Sequence, residues 1–66
     1  MHKVVSSNVA AVGYDKPSQV LRVQFIRGGV YEYSGVREAL FEEMLGPHPW
    51  RRVGREVKAH RNRKIA

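Results

Sequence analysis

A glycine pair between two alternating segments constrains the fold of this chain more than any other part of its sequence. Residues 20–26 alternate between apolar and polar side chains, and the apolar ones share one face: Leu21, Val23 and Phe25. After the glycines, Tyr31 and Tyr33 alternate with other residues in the same way. A period of two indicates half-buried strands, and glycine accepts the positive φ angles of a tight turn. The sequence therefore predicts a β-hairpin that turns at Gly28 and Gly29.

The hairpin loop decides which face of the sheet receives the two tyrosines. With a three-residue loop at residues 27–29, Phe25 pairs with Tyr31 and Val23 with Tyr33, so both rings join the core. With a two-residue turn, the rings join the polar face, where they could stack on bases. We favour the three-residue loop because it pairs apolar residues with apolar residues. Tyr31 and Tyr33 therefore remain candidate stacking residues if the shorter turn forms.

One further strand precedes the hairpin. Residues 9–14 place Ala10, Val12 and Tyr14 on one face, and the remaining residues Val9, Ala11 and Gly13 on the other. The following cluster, residues 15–19, contains Asp, Pro and Ser and predicts a loop. The sheet is thus expected to be a three-stranded antiparallel meander over residues 6–34.

Two helical segments follow the sheet. Val36, Leu40 and Met44 recur at helical spacing, Ser34 offers an N-cap, and the Gly-Pro-His-Pro run at residues 46–49 ends the helix. A second segment opens at Trp50, whose ring should dock on the body with the neighbouring valines 53 and 57. We predict one α+β domain over residues 1–66: a sheet, a helix at 35–46 packed on it, a basic amphipathic helix at 50–60 and a fraying tail at 61–66.

All of the excess charge lies in the last quarter of the chain. The net charge is +6, and residues 1–49 hold five basic and five acidic residues. Residues 50–66 hold a single acid, Glu56, and seven bases: Arg51, Arg52, Arg55, Lys58, Arg61, Arg63 and Lys64. An unbalanced basic segment of this kind favours a polyanionic partner, because arginine and lysine neutralise phosphates and release counterions. These seven residues are the candidate nucleic-acid-binding set.

Other functional classes find little support. His2, His48 and His60 are scattered and form no H-x-x-x-H pair for zinc, and no serine stands in a nucleophile motif. Cysteine is absent, which excludes disulfides and thiolate metal sites. No segment approaches the roughly 20 apolar residues of a membrane span. We therefore interpret the chain as a noncatalytic cytoplasmic protein without a cofactor, a metal or a membrane partner.

Segments along most of the chain carry a family resemblance. They are Val5-Ser6-Ser7, Val12-Gly13-Tyr14-Asp15, Leu21 to Phe25, Gly28 to Tyr33 with its central Y-x-Y, and Gly35-Val36. In this order and spacing, the chain resembles the KTSC domain, a small module found alone in bacterial and phage proteins and at the C-terminus of some lysyl-tRNA synthetases. The resemblance implies no catalytic residues, and it implies RNA binding through the association with a tRNA-charging enzyme. Residues 47–53 depart from the Gly and aromatic-containing segment usual in the family.

Two functional hypotheses remain open after these observations. The first is a nucleic-acid-binding module, with RNA favoured, that contacts phosphates through the basic helix. The second is a small protein-interaction module of a bacterium or phage whose basic helix docks on an acidic partner surface. Oligomeric state is undecided between monomer and homodimer, because the second sheet face would carry Val20, Ile26 and Val30.

Overall fold

The predicted hairpin forms the centre of a larger antiparallel sheet in the computed structural model, which describes residues 1–66. The strands, in both chain and spatial order, are β1 (His2–Lys3), β2 (Val9–Asp15), β3 (Val20–Phe25), β4 (Gly29–Tyr33) and β5 (Asn62–Lys64). Two helices, α1 (Glu38–Met44) and α2 (Pro49–Lys58), lie between β4 and β5 in the chain. The α+β class is confirmed, and the expectation of three strands is wrong.

The two strands that sequence reasoning missed are the edge strands. β1 has two residues and β5 has three, and all of them are exposed. Neither strand has an apolar alternation, because each is held by backbone pairing rather than by burial. Segment 61–66 was expected to fray, but Ser34 N donates to Arg61 O at 2.7 Å and Ile65 N donates to Val30 O at 2.8 Å. The basic tail is therefore a strand along one edge of the sheet.

The hairpin register keeps the predicted face for the tyrosines but shifts their partners. Tyr31 pairs with Val23 and Tyr33 with Leu21, and Phe25 closes the ladder opposite Gly29. The loop has three residues, as predicted, but it spans 26–28 rather than 27–29. Each pairing moves by two residues, and a shift of two preserves the side of the sheet on which a side chain lies. Both tyrosines thus lie on the face that the helices cover.

A bulge in β2 adds a residue to the core face. Val9 pairs with Phe25 and Ala11 with Gln24, and the register shifts between these two pairs. A bulge of this kind places two residues opposite one and changes which side chains point inward. Val9 and Val12 are consequently both fully buried, at 0% exposure. The expectation that Val9 lies on the opposite face from Val12 is wrong for this reason.

The first helix begins later than its sequence pattern predicts. Its N-cap is Arg37, which makes no side-chain capping hydrogen bond, so Ser34 does not cap it. Val36 precedes the helix and is pinned by two hydrogen bonds: its N–H donates to Gln19 O at 2.9 Å, and its carbonyl accepts from the Tyr14 hydroxyl at 2.5 Å. This anchoring holds Val36 in the core without requiring helical geometry there.

The core lies between the sheet and the two helices. Its fully or nearly fully buried members are Val9, Val12, Leu21, Val23, Tyr33, Val36, Leu40, Met44 and Val57. Over β2, Phe41 of α1 stacks on Tyr14 with ring centroids 5.1 Å apart. Over β3 and β4, Trp50 of α2 meets Phe25 edge-on at 4.9 Å and Tyr33 at 6.3 Å. Trp50 therefore docks α2 on β3 and β4, and α2 also lies beside α1.

Burial of Leu21 at the sheet centre predicts a measurable stability difference. Leu21→Ala should lower the free energy of unfolding by about 2–5 kcal/mol, because it leaves a cavity where the side chain is fully buried. The matched control is Ile26→Ala in the exposed hairpin loop, which should change it by about 0.5 kcal/mol or less. Urea unfolding followed by circular dichroism measures both. Equal losses in the two variants would contradict this placement of the core.

Candidate nucleic-acid interface

The structure separates the seven predicted basic residues into three groups. Three lie on one exposed flank of α2, two are engaged by the protein itself, and two belong to the turn and edge strand that follow α2. In the same order, these groups are Arg51, Arg55 and Lys58; then Arg52 and Arg63; then Arg61 and Lys64. Only part of the sequence-defined set is thus free to meet a ligand.

The free flank of α2 follows from helical geometry. At about 100° per residue, Arg51, Arg55 and Lys58 fall within about 60° of one another. All three are exposed, and none of them forms an ion pair in the structure. The helix has no acidic residue in its first turn, and Glu56 projects from the side nearer α1. The flank is therefore a row of cations without a neutralising carboxylate.

Arg52 has a different role, because its guanidinium joins the two helices. Its Nε donates to Pro47 O at 2.9 Å, Nη1 donates to a Glu43 carboxylate oxygen at 2.8 Å, and Nη2 donates to the Glu43 carbonyl. A Cβ on Gly46 would lie 2.7 Å from Nη2, so this glycine gives the guanidinium its room. Helix α1 ends just before this glycine, with Leu45 as its C-cap in the right-handed region. Arg52 thus fixes the α1–α2 corner.

Arg63 lies on the other side of the sheet from the helices. It pairs with Glu32 across β5 and β4, at 3.3 Å, and Glu32 also accepts a 2.7 Å hydrogen bond from Arg22 of β3. The hydrogen bond from Arg22 lowers the pKa of Glu32 from its ordinary value of 4.5; partial burial opposes the shift and Arg63 adds to it. This three-residue ladder ties the edge strand to the centre of the open sheet face.

Lys64 lies on the helix-covered side, because side chains alternate along a strand. It stands directly opposite Tyr31 in the β4–β5 pairing. Arg61 lies in the turn that leads from α2 into β5, and its side chain is exposed. Two adjacent residues of the basic tail, Arg63 and Lys64, therefore lie on opposite faces of the sheet.

The contacts on the other side of α2 give the orientation of its free flank. Arg52, Val53 and Glu56 lie on the side of α2 nearer α1, through the contact with Glu43 and the cleft between the helices. The opposite flank therefore points away from α1. A turn at residues 59–61 joins α2 to β5. Lys64 lies on the helix-covered side of that strand, so it is on the same side of the sheet as the cations of α2.

The two tyrosines differ in their availability to a ligand. Tyr33 is 4% exposed, and burial, with a smaller contribution from Tyr31, raises the pKa of its phenol above 10.0. Tyr31 is half-buried on the same face and packs edge-on against Phe25 at 5.7 Å. Of the two candidate stacking residues, only Tyr31 is partly exposed. Sequence alternation alone could not separate them, because it places both on one face.

The three histidines lie in different parts of the structure. His2 lies against Phe41, His48 is the N-cap of α2 in the left-handed region, and His60 follows the same helix. A cleft of about 480 Å³ between the helices carries Arg37, Glu43, Glu56 and His60, but no group of three or more His, Cys, Asp or Glu residues could hold a metal ion. Neither helix is long and apolar enough to cross a membrane.

Comparisons with known proteins identify what this chain is similar to. The profile of the KTSC domain family matches residues 5–47. A protein of Tsukamurella paurometabola is 32% identical over 66 residues, which cover 100% of this chain and 98% of the relative. The crystal structure of a KTSC domain protein from Yersinia pestis is 30% identical and has a TM-score of 0.89, covering 98% of this chain and 94% of the other. The profile match ends before α2, so the cationic flank lies outside it.

The contacts of Arg52 predict a structural role that its neighbour lacks. Arg52→Gln should lower the free energy of unfolding by about 1–2 kcal/mol, because it removes hydrogen bonds from a charged donor to backbone carbonyls. Arg51→Gln, one residue away and exposed, should change it by less than about 0.5 kcal/mol. Urea denaturation of the two single variants checks the difference. Indistinguishable unfolding midpoints would mean that the guanidinium does not hold this corner.

The lowered pKa of Glu32 predicts a pH-dependent contribution to stability. Because its pKa is lower in the folded protein than in the unfolded chain, ionised Glu32 stabilises the fold above pH 4.5, and this contribution is lost as the pH falls through the folded-state value. Glu32→Gln should therefore lower the urea midpoint at pH 7, and the gap to the wild type should narrow at pH 3. Glu42→Gln, which removes a carboxylate without an ion pair, is the control. A gap that is the same at both pH values would rule out the ion-pair ladder as its cause.

Proposed function

The chain belongs to the KTSC domain family, and we propose that it acts in that fold as a noncatalytic module that binds nucleic acid, with RNA favoured over DNA. The observation that carries the proposal is the free flank of α2: Arg51, Arg55 and Lys58, which no carboxylate of the chain neutralises. Lys64 adds a fourth cation from the helix-covered side of the edge strand. A row of cations of this kind is best suited to bind phosphate groups.

The geometry favours a ligand with regularly spaced charges over a single anion. With a rise of 1.5 Å per residue, the α2 cations extend over about 10 Å. A stacked nucleic-acid strand places phosphates about 3.4 Å apart along its axis, so the row corresponds to about three nucleotides. The preference for RNA comes from the family resemblance and its link to a tRNA-charging enzyme.

Contacts with phosphates supply affinity without sequence preference. Each neutralised phosphate releases counterions, so the affinity should fall steeply with salt. Arg52 and Arg63 contribute little in this proposal, because their guanidinium groups already bind carbonyl or carboxylate oxygens of the protein. The binding set proposed from the sequence is thereby narrowed to Arg51, Arg55, Lys58, Arg61 and Lys64.

An acidic protein surface is the second candidate partner, since it would meet the same cations. Such a protein partner needs carboxylates fixed at positions that match the cations, whereas a flexible polyanion has no such requirement. The two candidates therefore differ in whether binding survives removal of nucleic acid.

A charge-matched pair of variants tests the proposal. The triple variant Arg51→Ala, Arg55→Ala, Lys58→Ala should weaken binding of a fluorescein-labelled 12-nucleotide RNA by about 10-fold or more at 50 mM salt, and flatten the log–log salt slope by about 2. The control Lys3→Ala, Lys16→Ala, Arg37→Ala removes the same charge from other surfaces, and should weaken binding by less than about 3-fold. Fluorescence anisotropy measures both series.

Two outcomes would overturn the proposal. One is the absence of RNA or DNA binding by the wild-type protein below about 100 μM at low salt. The other is an equal loss in the two triple variants, which would mean that net charge alone causes the attraction. If RNA fails to bind and a protein from nuclease-treated lysate is retained by the wild type but not by the α2 variant, the protein-interaction hypothesis replaces it.

A further inference from the structure

The Tyr31 ring has a position that core packing alone does not explain. Its centroid lies 6.5 Å from that of Tyr33 with the ring planes at 29°, and it lies nearly perpendicular to Phe25 at 5.7 Å. These two neighbours fix the plane of the ring, yet the side chain remains partly exposed. Its hydroxyl makes no hydrogen bond within the chain, in contrast to that of Tyr14, which donates to Val36 O. Tyr31 is thus a rigid aromatic surface at the edge of the core.

The surroundings of Tyr31 are cationic and aromatic together. Lys64 stands directly across from it on β5. Trp50, which is also half-buried, reaches the same end of the sheet through its 4.9 Å contact with Phe25. Trp50 begins α2, and the free flank of cations starts at the next residue, Arg51. The helix-covered side of the sheet therefore carries the cations of α2, Lys64 and two partly exposed aromatic residues, Tyr31 and Trp50.

From this juxtaposition of Tyr31, Lys64 and the α2 flank, we propose that the ligand is single-stranded nucleic acid and that one of its bases stacks on Tyr31. This inference rests on the proposed function. In a duplex, both faces of each internal base are covered by neighbouring bases, so a tyrosine ring has nothing to stack on. An unpaired base offers its face to the ring while its backbone continues along the cations. Tyr33 takes no part, because it is buried.

The inference also assigns separate contributions to the α2 cations and to Tyr31. The α2 cations attract the phosphate charges and therefore bind any strand. Tyr31 stacks on a base and therefore distinguishes strands with accessible bases from duplexes and from backbones without bases. Stacking on an aromatic side chain tolerates every base, so this surface prefers single strands without reading their sequence.

The experiment compares three probes with the wild-type protein: a 12-nucleotide single-stranded RNA, a 12-base-pair RNA duplex and an abasic 12-mer with the same backbone charge as the single strand. We expect the affinity for the single strand to exceed the affinity for the abasic probe by about 5-fold or more, and also to exceed the affinity for the duplex. Trp50 is the only tryptophan, and its fluorescence should change with the base-containing strand and not with the abasic one.

Two variants locate the stacking residue. Tyr31→Leu should weaken single-strand binding by about 5- to 100-fold and leave duplex and abasic binding unchanged, whereas Tyr31→Phe should retain single-strand affinity. Circular dichroism and urea midpoints establish that both variants fold. Because the three-probe comparison uses the wild type, the inference remains testable even if Tyr31→Leu unfolds.

The outcomes separate this inference from the proposed function. Equal affinity for the single-stranded and abasic probes overturns stacking while phosphate binding by α2 stands. Duplex affinity equal to or above that of the single strand has the same consequence. Single-strand affinity that is unchanged in a folded Tyr31→Leu variant overturns the assignment to Tyr31. Absence of binding to all three probes overturns the proposed function, and this inference with it.

Discussion

The backbone pairing of β3 with β4 fixes the face of the sheet on which the side chains of these two strands lie, and the rest of the structure packs accordingly. Because Val23 pairs with Tyr31 and Leu21 with Tyr33, the aromatic rings of β4 lie beside the apolar residues of β3 and provide the platform on which Trp50 and α2 dock. The same register places Arg22 opposite Glu32 on the other side. A shift of one residue would exchange the two faces. The core and the ion-pair ladder therefore depend on one set of backbone hydrogen bonds.

The cations of the C-terminal segment are distributed by tertiary structure among different tasks. Arg52 binds carbonyls at the α1–α2 corner, and Arg63 holds the edge strand through Glu32. In both cases the charged side chain helps to stabilise the fold. The ion pairs of Glu32 also hold in place the strand that carries Lys64. The residues without such partners are the ones left to bind a polyanion. A count of basic residues thus overstates the binding surface, because an arginine engaged by the protein has fewer donors for a phosphate.

Much of the fold could be predicted because its strongest patterns are local. The alternation around Leu21 and Val23, and the helical spacing of Leu40 and Met44, reflect burial on a single face. The short edge strands could not be found, because their residues are exposed and their pairing uses backbone groups common to every amino acid. The bulge that buries Val9 was missed for a related reason, since an extra residue leaves the composition of a strand unchanged.

The sequence by itself determined the α+β class and the concentration of charge after residue 49, and it favoured, without deciding, a three-residue hairpin loop with both tyrosines on the core face. Only the tertiary structure decided that Tyr31 remains partly exposed while Tyr33 is buried, and that Arg63 and Lys64 lie on opposite faces of β5. The physical reason is that periodicity along a chain records which side chains share a face. What covers that face, and which carbonyl or carboxylate meets each cation, depends on elements distant in sequence.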